Sequence, residues 1–519
     1  MQEKKTGFFN KFLNFVEIGG NKLPHPATIF LIFSLIIIVL SGIVANMGTT
    51  VSYTRDGKEV VITAKSLMNA EGVRYIFNSM VKNFTGFAPL GTVLVALLGV
   101  GVCEGTGLMS AVIRKAVLAT PRRAITAMVV FAGIMSNVAS DAGYVVLVPL
   151  GAVIFLSFGR HPLAGLAAAF AGVSGGFSAN LLIGTIDPLL SGISTEAAKL
   201  IDPLYSVGAT SNWYFMIAST FVITLLGTII TEKIVEPRLG KYEGDAEITT
   251  NELASHEKKG LRWAGISFLI FIGIMLYMTV PQSGILRTLT IPKGTTKLIP
   301  TLSVWTSSGL VPTLMLFFLI PGVAYGIGAG TVKSDKQVAG MMGKAMSSMG
   351  GYLVLAFAAS QFIAYFSYTH LGTIMAVKGA ITLQQIGLTG LPLIIAFIFL
   401  TGFVNLFMGS ASAKWAIMAP IFIPMLMQVG ISPEFTQVAF RIGDSTTNII
   451  SPLMSYFAVI VAFAQKYDKN AGMGTIISTM LPYSMIFMLG WTVLMIIWSL
   501  IGLPLGPEAE MVYKAATLN

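Results

Sequence analysis

Cysteine is almost missing from this chain of 519 residues: Cys103 is the single example. That excludes an intrachain disulfide framework and metal sites built from thiolates. Histidine is nearly as scarce, with four, and "HEKKG" (256–260) lacks the second histidine of a zinc protease. No G-x-x-x-x-G-K-[ST] loop is present, and "GMMGKAM" (340–346) has neither its spacing nor its hydroxyl, which argues against ATP drive by this chain. "RIGD" (441–444) lacks the first glycine of the G-x-G-D of intramembrane aspartyl proteases. A membrane-embedded enzyme is therefore a weak reading. A channel is a third class, and saturable, competable flux would argue against it. Charge is thin as well, at 11% of residues.

What fills the chain is apolar. Hydrophobic residues make up 54%, and the mean hydropathy is +0.78, far above that of soluble proteins. Runs long enough to cross a bilayer recur, such as "ATIFLIFSLIIIVLSGIVANM" (27–47) and "WYFMIASTFVITLLGTII" (213–230). The expectation is an all-α, multi-pass protein of the cytoplasmic (inner) membrane, with the lipid bilayer as its main partner. A net charge of +10 raises the question of nucleic acid, but the basic residues are scattered over short loops. Positive-inside topology accounts for them without it. Residues 1–26 carry Lys4, Lys5, Lys11 and Lys22 among "FFNKFLNF" and no small-residue cleavage site, which reads as an uncleaved cytoplasmic segment.

From a cytoplasmic N-terminus, spans near 27–47 and 88–112 return the chain to Arg114, Lys115, Arg122 and Arg123 on the inside. Residues 124–159 then contain no Lys or Arg and a polar middle, "SNVASDAG". One helix of about 36 residues would be about 54 Å long, too much for a hydrocarbon core of about 30 Å. A re-entrant hairpin of two half-helices fits instead. Further spans are expected near 163–187, 212–232, 263–281, 308–332 and 349–370, with 233–262 as the one sizeable cytoplasmic loop. A second hairpin over 391–430 has "GSASAKWA" (409–416) at its tip. Spans near 435–463 and 473–503 and a tail over 504–519 complete about nine crossings.

The two hairpins are related. After the first polar tip come Pro149, Pro162, Gly172 and Ser174, and after the second Pro420, Pro433, Gly443 and Ser445, with spacings of 13, 10 and 2 in both. Further on, after a short length difference, Asn180 with Pro188 is mirrored by Asn448 with Pro452. Hairpins entering from opposite sides make 27–232 and 263–503 inverted repeats, the architecture of secondary transporters. The helix after each hairpin reads as broken: "AFAGVSGGFSANLLIGTIDPLL" (169–190, within 163–190) and "FRIGDSTTNIISPLM" (440–454, within 435–463) are rich in Gly, Ser, Thr, Asn and Pro. Irregular backbone survives at membrane depth only where protein or a wet cavity satisfies it. Half-helix amides there bind carboxylates, and freed carbonyls bind Na⁺ or support protonation.

Candidate residues follow. Arg441 and Asp444 lie three apart on one helical face: a structural ion pair, or a carboxylate-binding fork with a partner that neutralises it until an anion arrives. Asp444 could equally carry a coupling proton or help hold Na⁺. Trp415 reads as a stacking surface or an interfacial anchor, Ser412 as a ligand donor or a turn hydroxyl. Lys414 could snorkel to the surface. Asp141 and Asp187 are acids in or near the membrane, and Asp187 also begins an Asp-Pro turn. Asn137, Asn180 and Asn448 suit ion coordination or the capping of broken helices. Glu104 is a weaker coupling candidate near the cytoplasmic face.

Across nearly its whole length the chain resembles the AbgT family, the p-aminobenzoyl-glutamate transporters. "NFTGFAPLGTVLV", "GRHPLAGLAAAFAGVSGG", "GTIDPLL", "GSASAKWA" and "RIGDSTTNIISP" carry the resemblance. It implies a homodimer of nine-span subunits with two hairpins. It also implies uptake of p-aminobenzoyl-glutamate, or proton-driven export of sulfonamide-type antimetabolites. The family's important positions fall on Asp187, Ser412, Trp415, Arg441 and Asp444. At Lys414 the family usually has an uncharged polar residue, a departure that weakens the case for a substrate role there. No cofactor is expected beyond a coupling ion, Na⁺ or H⁺.

Overall fold

A computed structural model of the chain describes residues 24–55, 58–137, 142–244, 253–290, 298–302, 304–305, 309–454 and 456–513. Among them seven helices are long and apolar enough to cross a membrane, or eight if one bent helix pair near the second hairpin counts as a single span. In chain order, α1 (Pro26–Asn46) is followed by a two-stranded hairpin, β1 (Thr50–Arg55) and β2 (Lys58–Thr63), then α2 (Ala70–Thr85), α3 (Ala88–Thr106) and α4 (Leu108–Leu118). The span expected over 88–112 stops early, because Gly107 takes a left-handed φ of +89° that ends α3 and starts α4 on a new axis.

The first hairpin is α5 (Ile125–Ser136) and α6 (Ala142–Ser157), and α7 (Pro162–Phe170) follows. After α7 a π-turn over Ala171–Gly175 loosens the helix, and regular structure resumes only at α8 (Ile186–Ala198). The long α9 (Trp213–Ile230) and α10 (Ser255–Thr279) come next. A further π-turn and a short helix carry the chain after α9 to Leu239, so the loop expected over 233–262 is shorter than its charge suggests. A small hairpin, β3 (Thr288–Thr290) and β4 (Ile299–Thr301), precedes α11 (Leu310–Ala329), α12 (Asp335–Ser348) and α13 (Gly350–Tyr368).

The second hairpin is entered through an extra helix. A helix not foreseen, α14 (Leu371–Gln385), meets α15 (Gly390–Asn405) at 117°, across a turn where Gly387 and Gly390 take φ of +70° and +59°. Then α16 (Ala411–Gln428), α17 (Pro433–Asn448), α18 (Phe457–Gln465) and α19 (Met473–Ile501) complete the chain. The expected span 435–463 is thus interrupted between α17 and α18. The C-terminal segment is more than a tail: Ser432 N–H donates to Met511 O at 3.0 Å and Tyr513 N–H to Gly430 O at 2.9 Å, pinning it beside the start of α17.

The repeated punctuation has matched structural work. Pro149 and Pro420 stand inside α6 and α16, where a missing amide loosens the helix. Pro162 and Pro433 occupy the first turn of α7 and α17, where that missing donor costs nothing. Gly172 and Gly443 are contact points. A Cβ on Gly172 would collide with the Val130 carbonyl of α5, and one on Gly443 with the Ile398 carbonyl of α15. In both halves the helix after the hairpin lies directly on the hairpin's first helix.

Gly443→Ala is therefore expected to destabilise the protein by about 1–3 kcal/mol through overpacking, read as a lower melting temperature of the purified protein in detergent. Gly343→Ala, at a position on α12 with open space around it, should be neutral or stabilising by up to about 1 kcal/mol.

Candidate functional site

All residues of α17 from Pro433 to Asn448 are buried, although Gln437, Arg441, Asp444, Ser445, Thr446, Thr447 and Asn448 are polar or charged. Such a helix would be untenable against lipid. It is tolerated because α8, α15, α16, α19 and the π-turn after α7 pack around it and supply partners for its polar groups.

Arg441 does not pair with Asp444, three residues along its own helix. Its Nη1 meets Asp187 Oδ1 at 2.7 Å, with side-chain exposures of 1% and 10%. Its Nη2 donates to the main-chain oxygen of Ser178 at 2.9 Å, and its Nε–H has no partner among the described residues. Asp187 sits in the first turn of α8, where the helix dipole favours a carboxylate, and its Oδ2 accepts from Gly184 N–H at 2.7 Å. The Asp-Pro turn and the ion pair thus coexist. Close by, Ser178 N–H donates to Ser445 Oγ at 3.2 Å. The break after α7 and the polar face of α17 are stitched together from opposite halves.

Asp444 pairs with Lys414, Oδ1 to Nζ at 2.5 Å, and both are buried. This corrects the snorkelling expectation, since the Lys414 side chain has no exposed surface. Its ammonium also donates to Asn405 Oδ1 and, at 3.4 Å, to the Met408 carbonyl. Asn405 Nδ2 in turn reaches Asp444 O and Thr447 Oγ1 at 2.8 Å and Asn448 Oδ1 at 2.9 Å. The hairpin tip closes onto the second break: a Cβ on Gly409 would sit 2.5 Å from Leu453 O. Ser451 Oγ donates to Asn405 O at 3.1 Å.

Trp415 is fully buried. Its Nε1–H donates to Ser194 Oγ of α8 at 3.0 Å, and its ring leans on Phe440 at 4.4 Å. Enclosed by protein on every side, it is, in this conformation, neither an outward-facing anchor nor an open stacking face. A residue the sequence reading missed is its counterpart: Tyr144 stands five residues before Pro149, as Trp415 stands five before Pro420. Tyr144 stacks on Tyr456, in the second break, at 4.7 Å and 4°. Each hairpin's second helix thus begins with an aromatic that reaches into the other half.

The remaining candidates are dispersed. Ser412 is half-buried with its Oγ 3.2 Å from Ser410 Oγ, outside the charge cluster. Asn180 Oδ1 accepts from Leu182 N–H at 3.1 Å, capping the first break. Asn448 belongs to the Lys414 side of the cluster. Asn137 is buried with neither amide atom partnered among the described residues. Asp141 lies outside the described residues. Glu104 is exposed near the end of α3. Beside the first break, Leu182, Ile183, Trp213, Phe271, Met275 and Phe317 line an apolar cavity of about 290 Å³. Among the described residues no cluster of three or more His, Cys, Asp or Glu side chains is set to hold a metal ion.

The crossed ion pairs and interrupted helices fit a carrier, and the AbgT transporter family matches residues 11–513. The chain belongs to that family. It is 40% identical to the p-aminobenzoyl-glutamate transport protein of Escherichia coli (strain K12) over 497 residues, 96% of each chain. Solved structures that share its fold include two transporters. The YdaH transporter of Alcanivorax borkumensis, described as having an unusual topology, superposes with a TM-score of 0.86 at 44% identity, covering 93% of this chain and all of the other. MtrF of Neisseria gonorrhoeae, described as illuminating a class of antimetabolite efflux pumps, gives 0.88 at 49% identity, covering 96% of this chain and all of the other. The chain is a multi-pass membrane transporter of this family.

Removing one member of a buried pair strands the other. Asp187→Ala and Arg441→Ala should each destabilise the purified protein by roughly 3 kcal/mol, while the double variant loses less than the sum. Additive shifts in melting temperature would mean that the two side chains do not interact energetically.

Proposed function

We propose that this protein is an ion-coupled secondary transporter that takes up p-aminobenzoyl-glutamate or a related aromatic carboxylate, acting as a carrier and not as an enzyme. The observation that carries the reading is Arg441. It is a buried guanidinium at the junction of two broken segments, held by one carboxylate and with a donor to spare. A substrate carboxylate can take the place of Asp187 and leave the charge on Arg441 compensated, a bidentate match that guanidinium geometry favours. The ligand's second carboxylate suits the half-helix amides around Gly184, and its ring suits Trp415 once that side chain leaves Phe440. The 40% identity to a p-aminobenzoyl-glutamate transport protein supports this substrate class.

Asp187, Ser412, Trp415, Arg441 and Asp444 are proposed as the substrate site, with Asn137, Asp141, Asn180 and Asn448 as ion or tip positions. Drive comes from a Na⁺ or H⁺ gradient. The halves 27–232 and 263–503 act as inverted repeats whose hairpins re-enter the membrane. Two copies form a homodimer in the cytoplasmic membrane with the N-terminus inside, a placement supported by the basic loops at 114–123 and 333–336. The similarity to MtrF favours a second reading, proton-driven export of sulfonamide-type antimetabolites, which share the aminophenyl group but lack the glutamate.

Vesicles reconstituted with the protein and given labelled p-aminobenzoyl-glutamate, with pH and Na⁺ gradients imposed separately, test both readings. Saturable accumulation under one gradient is expected, and no response to either removes coupling. Arg441→Ala and Asp444→Ala should each abolish the flux while the protein stays folded in the membrane. Trp415→Ala should weaken p-aminobenzoyl-glutamate more than free glutamate in binding titrations; equal losses would assign Trp415 to packing.

A further inference from the structure

Around Asp444 the buried polar groups are organised about an ammonium. An ammonium has three donors, and Lys414 Nζ faces three oxygens: Asp444 Oδ1, Asn405 Oδ1 and the Met408 carbonyl. These come from three separate pieces, namely α17, the end of α15 and the irregular hairpin tip. The Asn405 amide nitrogen, with two N–H groups, sits among three oxygens, Asp444 O, Thr447 Oγ1 and Asn448 Oδ1, so its carbonyl oxygen is turned toward Nζ. One carboxylate, one side-chain carbonyl and one main-chain carbonyl from unwound backbone make an all-oxygen set of the kind that holds a hard cation. A simple ion pair would need only the carboxylate.

We propose that the Lys414 ammonium is a tethered cation resident in a monovalent-cation cage, so that this chain reaches its substrate-binding form without Na⁺. The proposal rests on the transporter reading and narrows it. A charge fixed to a side chain cannot be released to either side of the membrane, so a sodium gradient does no work through this cage. Removing the ammonium should convert the cage into a site that a diffusible Na⁺ fills, because Asp444 would otherwise be a buried carboxylate with no counter-charge.

The test uses the full-length protein purified in detergent, in about 100 mM sodium chloride or choline chloride. Wild type should melt at the same temperature in both. Lys414→Ala should melt lower in choline and rise by roughly 3 °C in sodium, as expected when an ion binds only the folded state. The double variant Lys414→Ala/Asp444→Asn, which lacks both charges, should lose that response. Sodium-specific stabilisation of wild type would overturn the proposal. So would a folded Lys414→Ala with no sodium response, or a double variant that keeps it. If Lys414→Ala does not fold in either salt, wild-type titration with p-aminobenzoyl-glutamate decides: equal affinity within about twofold supports the tethered cation, and a Na⁺ requirement overturns it. Wild type that binds this ligand in neither salt would sink the substrate assignment, while the sodium responses of wild type and the variants would still judge the cage.

Discussion

A charge carried to membrane depth needs an opposite charge or a full set of hydrogen-bond partners, and that need ties the two halves of this transporter together. Arg441 is held by a carboxylate 254 positions earlier in the chain and by a main-chain carbonyl from the first break. Without α8 and the 176–185 segment beside it, α17 would carry an uncompensated guanidinium. The break in the first half and the polar helix of the second therefore depend on each other. Ser178 and Ser445 add a neutral bond to the same seam, and Gln437 adds two more, accepting from Ser194 Oγ at 2.6 Å and donating to Asn212 Oδ1 at 2.8 Å.

The repeat supplies a symmetric frame and an asymmetric chemistry. Prolines and close-packed glycines recur at matched spacings because both halves must kink, start and stack helices in the same way. The charges do not recur. Counting from the shared prolines, the first-half counterparts of Arg441 and Asp444 are Phe170 and Val173, and that of Lys414 is Gly143. A Cβ at Gly143 would already collide with Ser136 Oγ, so a long side chain has no room there. The first half contributes one acid, Asp187, from beyond its break, and the second half contributes the rest. One composite site results, in place of two equivalent ones.

This division also explains what could be read from sequence. The apolar spans, the two interrupted helices and the helix pairs within 124–159 and 391–430 were legible because composition, proline spacing and, for the first pair, the Lys/Arg-free run are local signals. Arg441, Asp444 and Asp187 were legible as costly residues, but their pairing was not. Helical periodicity pointed Arg441 toward Asp444, whereas the partner comes from a helix far away in the chain. Lys414 was underweighted because a long basic side chain usually escapes to the interface, and only packing reveals that α8, α15 and α17 close the way out. Elements α2, α12 and α14 escaped notice because each mixes charged or amide residues with apolar ones and is too short to span. Tyr144 had a signal, its offset from Pro149, which gains meaning only once Trp415 is seen to contact the other half.

The same contacts that close this conformation suggest how it opens. Trp415 grips α8 through Ser194, and Tyr144 lies on Tyr456, so relative motion of the halves must release both aromatics. Breaking the Asp187–Arg441 pair outright would leave two buried charges exposed to a low-dielectric interior, a step costing several kcal/mol. Under the proposed function, exchanging Asp187 for a ligand carboxylate would halve the problem: the guanidinium would keep an anionic partner, and only Asp187, still bonded to the Gly184 amide, would lose its counter-charge. A ligand shifts a conformational equilibrium only by its difference in affinity for the two states. On the proposed substrate site that difference would have a physical source: a ligand carboxylate would be accommodated at Arg441 only where α8 yields Asp187, which would couple occupancy to movement of the first half against α17.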